Sequence, residues 1–141
     1  PRLTKTYRNL EHYGNPEKIL SDVEKQIRRR ILLQTKTLIL TPRYLVELSD
    51  DICAIIPLPE VLWIYDHAAM RRTIKGRQLS YTIHVVTMKG EEYTLTGKSH
   101  REVSAIYHEL NTRYPNFFFG YSKEHQEMVQ YVLHEMKNEK A

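Results

Sequence analysis

Between Arg30 and Thr37 the spacing of apolar residues changes from helical to alternating, and at Ser99 it changes back. That order constrains the chain more than any single motif does. An amphipathic helix buries one stripe, and a strand with alternating apolar residues buries one face. Helices that flank such strands must therefore pack on the sheet, which predicts an α+β fold. At 141 residues the chain has the length of a single domain. The expected organisation is one domain over 1–141, with a helical hairpin over 1–30, an antiparallel β unit over 37–97 and C-terminal helices over 99–139.

The punctuation is explicit. In Gly14-Asn15-Pro16, Gly ends one helix, Asn caps the next and Pro suits its first position. The helix predicted over Pro16 to Arg29 carries Ile19, Leu20, Val23 and Ile27 on one stripe, with Asp22, Glu24, Lys25 and Arg28 elsewhere. Short strands are predicted over Thr37 to Thr41, Arg43 to Leu48, Ile52 to Ile56 and Val61 to Asp66. Pro42, Ser49-Asp50-Asp51 and Pro57-Leu58-Pro59 mark the turns between them. The clearest alternation sets Leu79, Tyr81, Ile83 and Val85 against Ser80, Thr82, His84 and Val86, and Lys89-Gly90 turns the chain into a strand over Glu92 to Thr96. Together these strands predict a meander-like antiparallel sheet. Ser99-His100-Arg101-Glu102 has the form of a capping box ahead of Val103, Ile106, Tyr107 and Leu110. Phe117-Phe118-Phe119 cannot all lie on one face of a strand, so some should plug the core and one should be exposed. Ser122 caps a last helix with Met128, Val129, Val132, Leu133 and Met136 on one side.

The net charge of +4 is unevenly sorted: Lys25 to Val46 holds six basic residues and no acidic one, and His67 to Gly90 holds five and none. If the two windows meet, they form a positive face suited to phosphates, an anionic membrane or an acidic protein. The most pointed cluster is Arg71-Arg72-Thr73-Ile74-Lys75-Gly76-Arg77, four cations around a turn glycine. A hairpin tip of that kind is also a solvated edge kept basic to discourage pairing with other chains. The single Cys53 forms no intramolecular disulfide, and its apolar neighbours predict a buried, inert thiol. No run of the sequence has the length of a membrane span and no apolar signal segment is present, so the chain as given reads as soluble. It begins with Pro rather than Met, which suggests a portion of a longer protein.

Catalytic signatures are missing. With glycines only at 14, 76, 90, 97 and 120, neither GxGxxG nor a P-loop can be written, and GxSxG is absent. The seven histidines include no HxxxH pair, so no metal site and no cofactor are expected. Glu60, Asp66, His67 and His84 form a possible polar cluster, read as structural. Trp63 and Tyr65 read as sheet packing. No catalytic residue and no enzyme activity are expected.

Three segments together carry a resemblance: Leu40 through Val46, Ile56 through Tyr65, and Pro115 through Ser122. With the Gly14-Asn15-Pro16 helical hairpin ahead of them, they resemble an uncharacterised bacterial family of pleckstrin-homology-like fold. The resemblance covers nearly the whole chain. It implies a bent antiparallel sheet or partial barrel, and a cytoplasmic domain at the inner face of a membrane, following membrane-spanning helices in a longer protein. It implies no activity. The basic hairpin sits late in the β order, whereas phosphoinositide-binding pleckstrin domains carry theirs between the first two strands.

The function expected is that of a non-enzymatic interaction or scaffolding module with a protein partner. The alternative is binding of an anionic membrane surface through Arg71, Arg72, Lys75 and Arg77, assisted by Arg28, Arg29 and Arg30. Nucleic acid is not an expected partner, because no base-stacking signature accompanies the basic residues.

Overall fold

The computed structural model describes residues 2–49 and 54–139. Within them the chain is a mixed α+β protein with four helices and two four-stranded sheets, neither closed into a barrel. It divides into two compact units, one comprising residues 1–60 and 104–114, the other 61–103 and 115–141.

The first unit opens with helices α1 (Arg2–Leu10) and α2 (Pro16–Arg29). The Asn15 side chain accepts hydrogen bonds from the backbone N–H groups of Glu17 (3.0 Å) and Lys18 (3.4 Å), and Pro16 takes the first helical position, so α2 starts where the sequence says it must. Strands β1 (Leu33–Gln34), β2 (Leu38–Leu40), β3 (Tyr44–Glu47) and β4 (Ala54–Pro57) pair antiparallel in chain order. In this register Ile39, Val46 and Ile55 lie side by side across the sheet. Ile19, Leu20, Val23 and Ile27 of α2 belong to the same apolar cluster, so the predicted stripe meets its predicted partner. Gln26 fastens α2 at its polar margin: its Oε1 accepts from the Thr41 hydroxyl (2.8 Å) and the Arg43 N–H (3.0 Å). The Tyr44 hydroxyl donates to Asp22 (2.6 Å). The opposite sheet face, with Leu38, Leu40, Leu45 and Ile56, is fully buried.

The second unit is built on β5 (Val61–Thr73), β6 (Gly76–Thr87) and β7 (Glu92–Lys98), with β8 (Phe118–Phe119) pairing parallel to β5 on the outer side. Helix α3 (His100–Arg113) belongs to this unit as far as Val103 and to the first unit from Ser104. Its capping box is complete: the Glu102 N–H donates to Ser99 Oγ (3.2 Å), and the Ser99 N–H to Glu102 Oε1 (2.8 Å). Helix α4 (Lys123–Glu139) is capped by Ser122, whose hydroxyl accepts from the His125 N–H (3.0 Å). Val129, Val132 and Leu133 of α4 pack with Leu62, Trp63, Val86 and Phe118.

Several expectations change. The β region forms two sheets in place of one meander, and β1 and β8 are additional strands. Strand β5 continues to Thr73, seven residues past the expected end at Asp66, because it pairs with β6 without interruption from Trp63↔Val86 to Thr73↔Gly76. Leu79 shares a face with Ile83, yet it is 54% exposed where Ile83 is fully buried. Met128 is exposed as well. Phe118 packs and Phe119 is exposed, as their adjacency requires. Cys53, with Ile52 and Asp50-Asp51, lies outside the described residues.

This burial gradient along β6 makes a direct prediction. Ile83→Ala should lose about 2–5 kcal/mol of stability to urea, whereas Leu79→Ala, on the same face, should stay within about 0.5 kcal/mol of the parent. Equal losses would mean that the outer hairpin is packed.

Candidate functional site

In the second unit every residue from His67 to Leu79 is exposed, so the outer part of the β5–β6 hairpin has solvent on both faces. Its register fixes which side chains stand together. Arg71 faces Gln78 across the ladder, Arg72 faces Arg77, and Met70 faces Leu79. Two residues, Ile74 and Lys75, close the turn between the paired Thr73 and Gly76, and the Thr73 hydroxyl donates to the Gly76 carbonyl (2.9 Å). Gly76 has φ +114°, a backbone conformation that side-chain-bearing residues rarely adopt. Ile74 at the tip is fully exposed, and Met70 and Leu79 are more than half exposed. A face of Met70, Leu79, Arg72 and Arg77 is thus both apolar and cationic. Like charges directly opposite in a ladder are destabilising, and Arg72↔Arg77 is such a pair.

The structure divides the predicted cations. Arg71 and Arg72 line a cavity of about 430 Å³ at the side of the hairpin, while Lys75 and Arg77 do not. Arg28, Arg29 and Arg30 stand at the end of α2 in the first unit, all exposed. Arg28 lies 3.8 Å from Glu24 one turn back, and Arg29 and Arg30 line a small cavity that also holds Asp22. A carboxylate therefore shares the surroundings of both parts of that run, which weakens it as an anion site.

An aromatic column follows the inner half of the opposite sheet face, the one that carries Arg71 and Gln78. Trp63 stacks with Tyr121 (ring centroids 6.0 Å) and meets Tyr65 at a 38° tilt (4.5 Å), Tyr65 stacks with His84 (4.6 Å), and His84 with His67 (5.1 Å). Trp63 Nε1–H and His125 Nδ1–H both donate to the Gly120 carbonyl (3.0 and 2.9 Å), and the Gly120 N–H donates to the Ile64 carbonyl (2.9 Å). Trp63 and Tyr65 are the packing residues their spacing predicts. Of the possible polar cluster, His67 and His84 meet, Nδ1 to Nε2 at 3.3 Å. Asp66 alternates to the other face of β5, and Glu60 belongs to the first unit. Among the described residues no group of three or more His, Cys, Asp or Glu side chains is placed to hold a metal ion, and no helix is long and apolar enough to cross a membrane.

Burial raises the Tyr65 hydroxyl above its usual range, with Glu92 and Tyr121 adding to the effect. Burial also lowers the His84 imidazole below 6.5, and the neighbouring His67 lowers it further. A group whose folded value is depressed contributes stability that is full above 6.5 and is lost as pH falls through 6.5 toward the folded value.

With this geometry in view, the family is clear. The chain defines a small α+β class with two antiparallel meanders and a projecting basic hairpin. It belongs to the family described as domain of unknown function (DUF6709), whose model matches residues 15–129. That span starts at the Asn15 cap of α2 and ends at Val129, the buried residue of α4. No curated protein and no solved structure matches the chain.

The histidine pair yields a pH prediction. In urea unfolding between about pH 8 and about pH 5, the parent should lose stability below pH 6.5 relative to His84→Gln, because only the parent must protonate His84 beside His67. Parallel pH profiles for the two proteins would show that the pair is not coupled to folding.

Proposed function

We propose that this domain is a non-enzymatic interaction module that docks on an anionic membrane surface through the tip of the β5–β6 hairpin. The observation that carries the reading is the fully exposed Ile74, an apolar side chain with no folding role, flanked in the hairpin by Arg72, Lys75 and Arg77. An apolar tip within a cationic collar suits an interface where acyl chains begin below anionic headgroups. Each cation near such a surface contributes about 1 kcal/mol. Met70 and Leu79, exposed on the face that carries Arg72 and Arg77, extend the apolar part.

In this reading the fold is pleckstrin-homology-like. Two successive antiparallel meanders, β1 to β4 and β5 to β7, followed at once by α3, are the chain order that a bent sheet closed by a helix would need. The α1–α2 pair ahead of β1 supplies the N-terminal helical hairpin. The domain would work at the cytoplasmic face of a membrane within a longer bacterial membrane protein, with the hairpin turned toward the lipid.

A second reading, a protein partner bound through exposed aromatic side chains, is favoured by Phe119 and Tyr121, which are 47% and 61% exposed. Aromatic residues are enriched at such interfaces. Its test is co-purification of a partner that Phe119→Ala loses.

The membrane reading is tested by flotation with vesicles of phosphatidylcholine, with and without phosphatidylserine, at low and physiological salt. Binding should require phosphatidylserine and weaken with salt. Lys75→Gln and Arg77→Gln should each weaken it about fivefold, the equivalent of 1 kcal/mol, and Ile74→Ser should weaken it without changing the salt dependence. Equal binding to both vesicle types, or unchanged binding by all three variants, would refute it.

A further inference from the structure

On the sheet face of Trp63 and Tyr65, His67 pairs across the ladder with Thr82 and His84 with Tyr65, so the two histidines are diagonal neighbours on adjacent strands. Diagonal positions are about 7–8 Å apart, close enough for two imidazole rings to meet. These meet through His67 Nδ1 and His84 Nε2, 3.3 Å apart, with ring centroids at 5.1 Å and ring planes 26° apart. An imidazole pair at this distance shares a hydrogen bond when one nitrogen carries a proton and the other does not. The same distance also spans two ligands of one metal ion. Zinc lies about 2.0–2.1 Å from a histidine nitrogen, and two such nitrogens at the tetrahedral angle stand about 3.3–3.4 Å apart. Rings converging on that ion have centroids roughly 5.2 Å apart. Both separations match those of His67 and His84.

The surroundings favour a cation. The His84 ring lies 4.6 Å from Tyr65 at an interplanar angle of 15°, and Tyr65 in turn meets Trp63 and Tyr121, so one ligand is already held in place. His67 is exposed, so an ion reaches the pair from solvent. Glu92 lies on the same face, diagonal to His84 through the pairs Val86↔Glu92 and His84↔Thr94, and its carboxylate makes the local potential more negative. Along this face of β5 the first guanidinium or ammonium beyond His67 is that of Arg71, four residues on and roughly 13 Å along the strand. Among the described residues no third His, Cys, Asp or Glu joins the pair in a group that could hold a metal ion, so water takes the remaining positions. Imidazole ligands suit zinc, copper and nickel, whereas magnesium and calcium require oxygen ligands.

We infer that His67 Nδ1 and His84 Nε2 chelate a divalent transition-metal cation of the zinc and copper class. Two protein ligands are fewer than the four of a structural zinc site, so the ion is exchangeable and the fold does not require it. The pair lies on the sheet face opposite Arg72 and Arg77 and shares no residue with the hairpin tip, so this site is independent of docking on a membrane.

The test is calorimetric titration of the whole chain with Zn²⁺ at about pH 7.5, where free imidazole is largely neutral, beside amide NMR of the ¹⁵N-labelled chain. One zinc ion should bind per chain, with saturable shifts centred on residues 65–67, 82–84 and 94. Cu²⁺ should bind more tightly than Zn²⁺, and Mg²⁺ should not bind at this pair. His67→Gln and His84→Gln should each weaken zinc binding at least about tenfold, since even loss of a group that only orients a ligand costs that much. His108→Gln, at an exposed position of α3, should bind as the parent does. If His84→Gln does not fold, His67→Gln, at an exposed position, carries the comparison. The inference is overturned if zinc gives no saturable binding, if Mg²⁺ shifts the same amides as Zn²⁺, or if His67→Gln binds as the parent does; the pair is then a hydrogen bond alone. The titration involves no membrane, so its failure is distinguishable from failure of the tip to dock.

Discussion

The second unit depends on one ladder, the antiparallel pairing of β5 with β6. Its inner half is held by burial: Ile64, Ile83 and Val85 lie on one face, and Trp63 and Val86 on the other, against α4. Its outer half has no such support. A two-stranded ribbon is marginal in water by itself, so the exposed hairpin keeps its register because the buried half sets it. A slip of one residue would turn Ile83 and Val85 outward and expose the core face. The core therefore determines which cations and apolar residues stand together at the tip, although it touches none of them.

The same dependence explains what could be read from sequence and what could not. Helix α2 was legible to the residue because its start is specified locally, by Asn15 and Pro16, and its stripe has a full helical period. The capping box of α3 and the Ser122 cap of α4 are local signals too. Strand β1 has two residues and β8 has two, too few to show a period, and the parallel partner of β8 lies more than fifty residues earlier in the chain. The extension of β5 was hidden because Ala68, Ala69, Met70, Arg71 and Arg72 show no alternation. That stretch is a strand by pairing alone, exposed on both sides. Leu79 misled for the opposite reason, since it keeps the apolar alternation of β6 beyond the end of the core.

The candidate site was legible only in part. The four hairpin cations are plain in the sequence, but which of them stand opposite one another follows from register, Arg72 with Arg77 and Arg71 with Gln78. The burial of Lys98 was not recognisable, because period-two reasoning puts it on the solvent side. The signal that could have found it was Gly97, a glycine inside a strand pattern, which commonly marks a bulge. In the first unit the Arg28-Arg29-Arg30 run looks equally basic in sequence. Glu24, one turn before Arg28, and Asp22, in the small cavity beside Arg29 and Arg30, offset part of the charge.

Arg72 and Arg77 then pose a question of energetics. Opposite charges across that rung would have strengthened the hairpin, and like charges weaken it, by an amount within the roughly 0.2–1 kcal/mol range of cross-strand pairs. Both side chains are exposed, so water and salt reduce the repulsion. The ladder tolerates it because the inner half supplies the stability. An exposed ribbon that holds two guanidinium groups on one face, beside Met70 and Leu79, gains little for its own folding from any of the four. Under the proposed docking on an anionic surface, an anion between the guanidinium groups would replace repulsion with two attractions and would couple binding to hairpin stability through this rung.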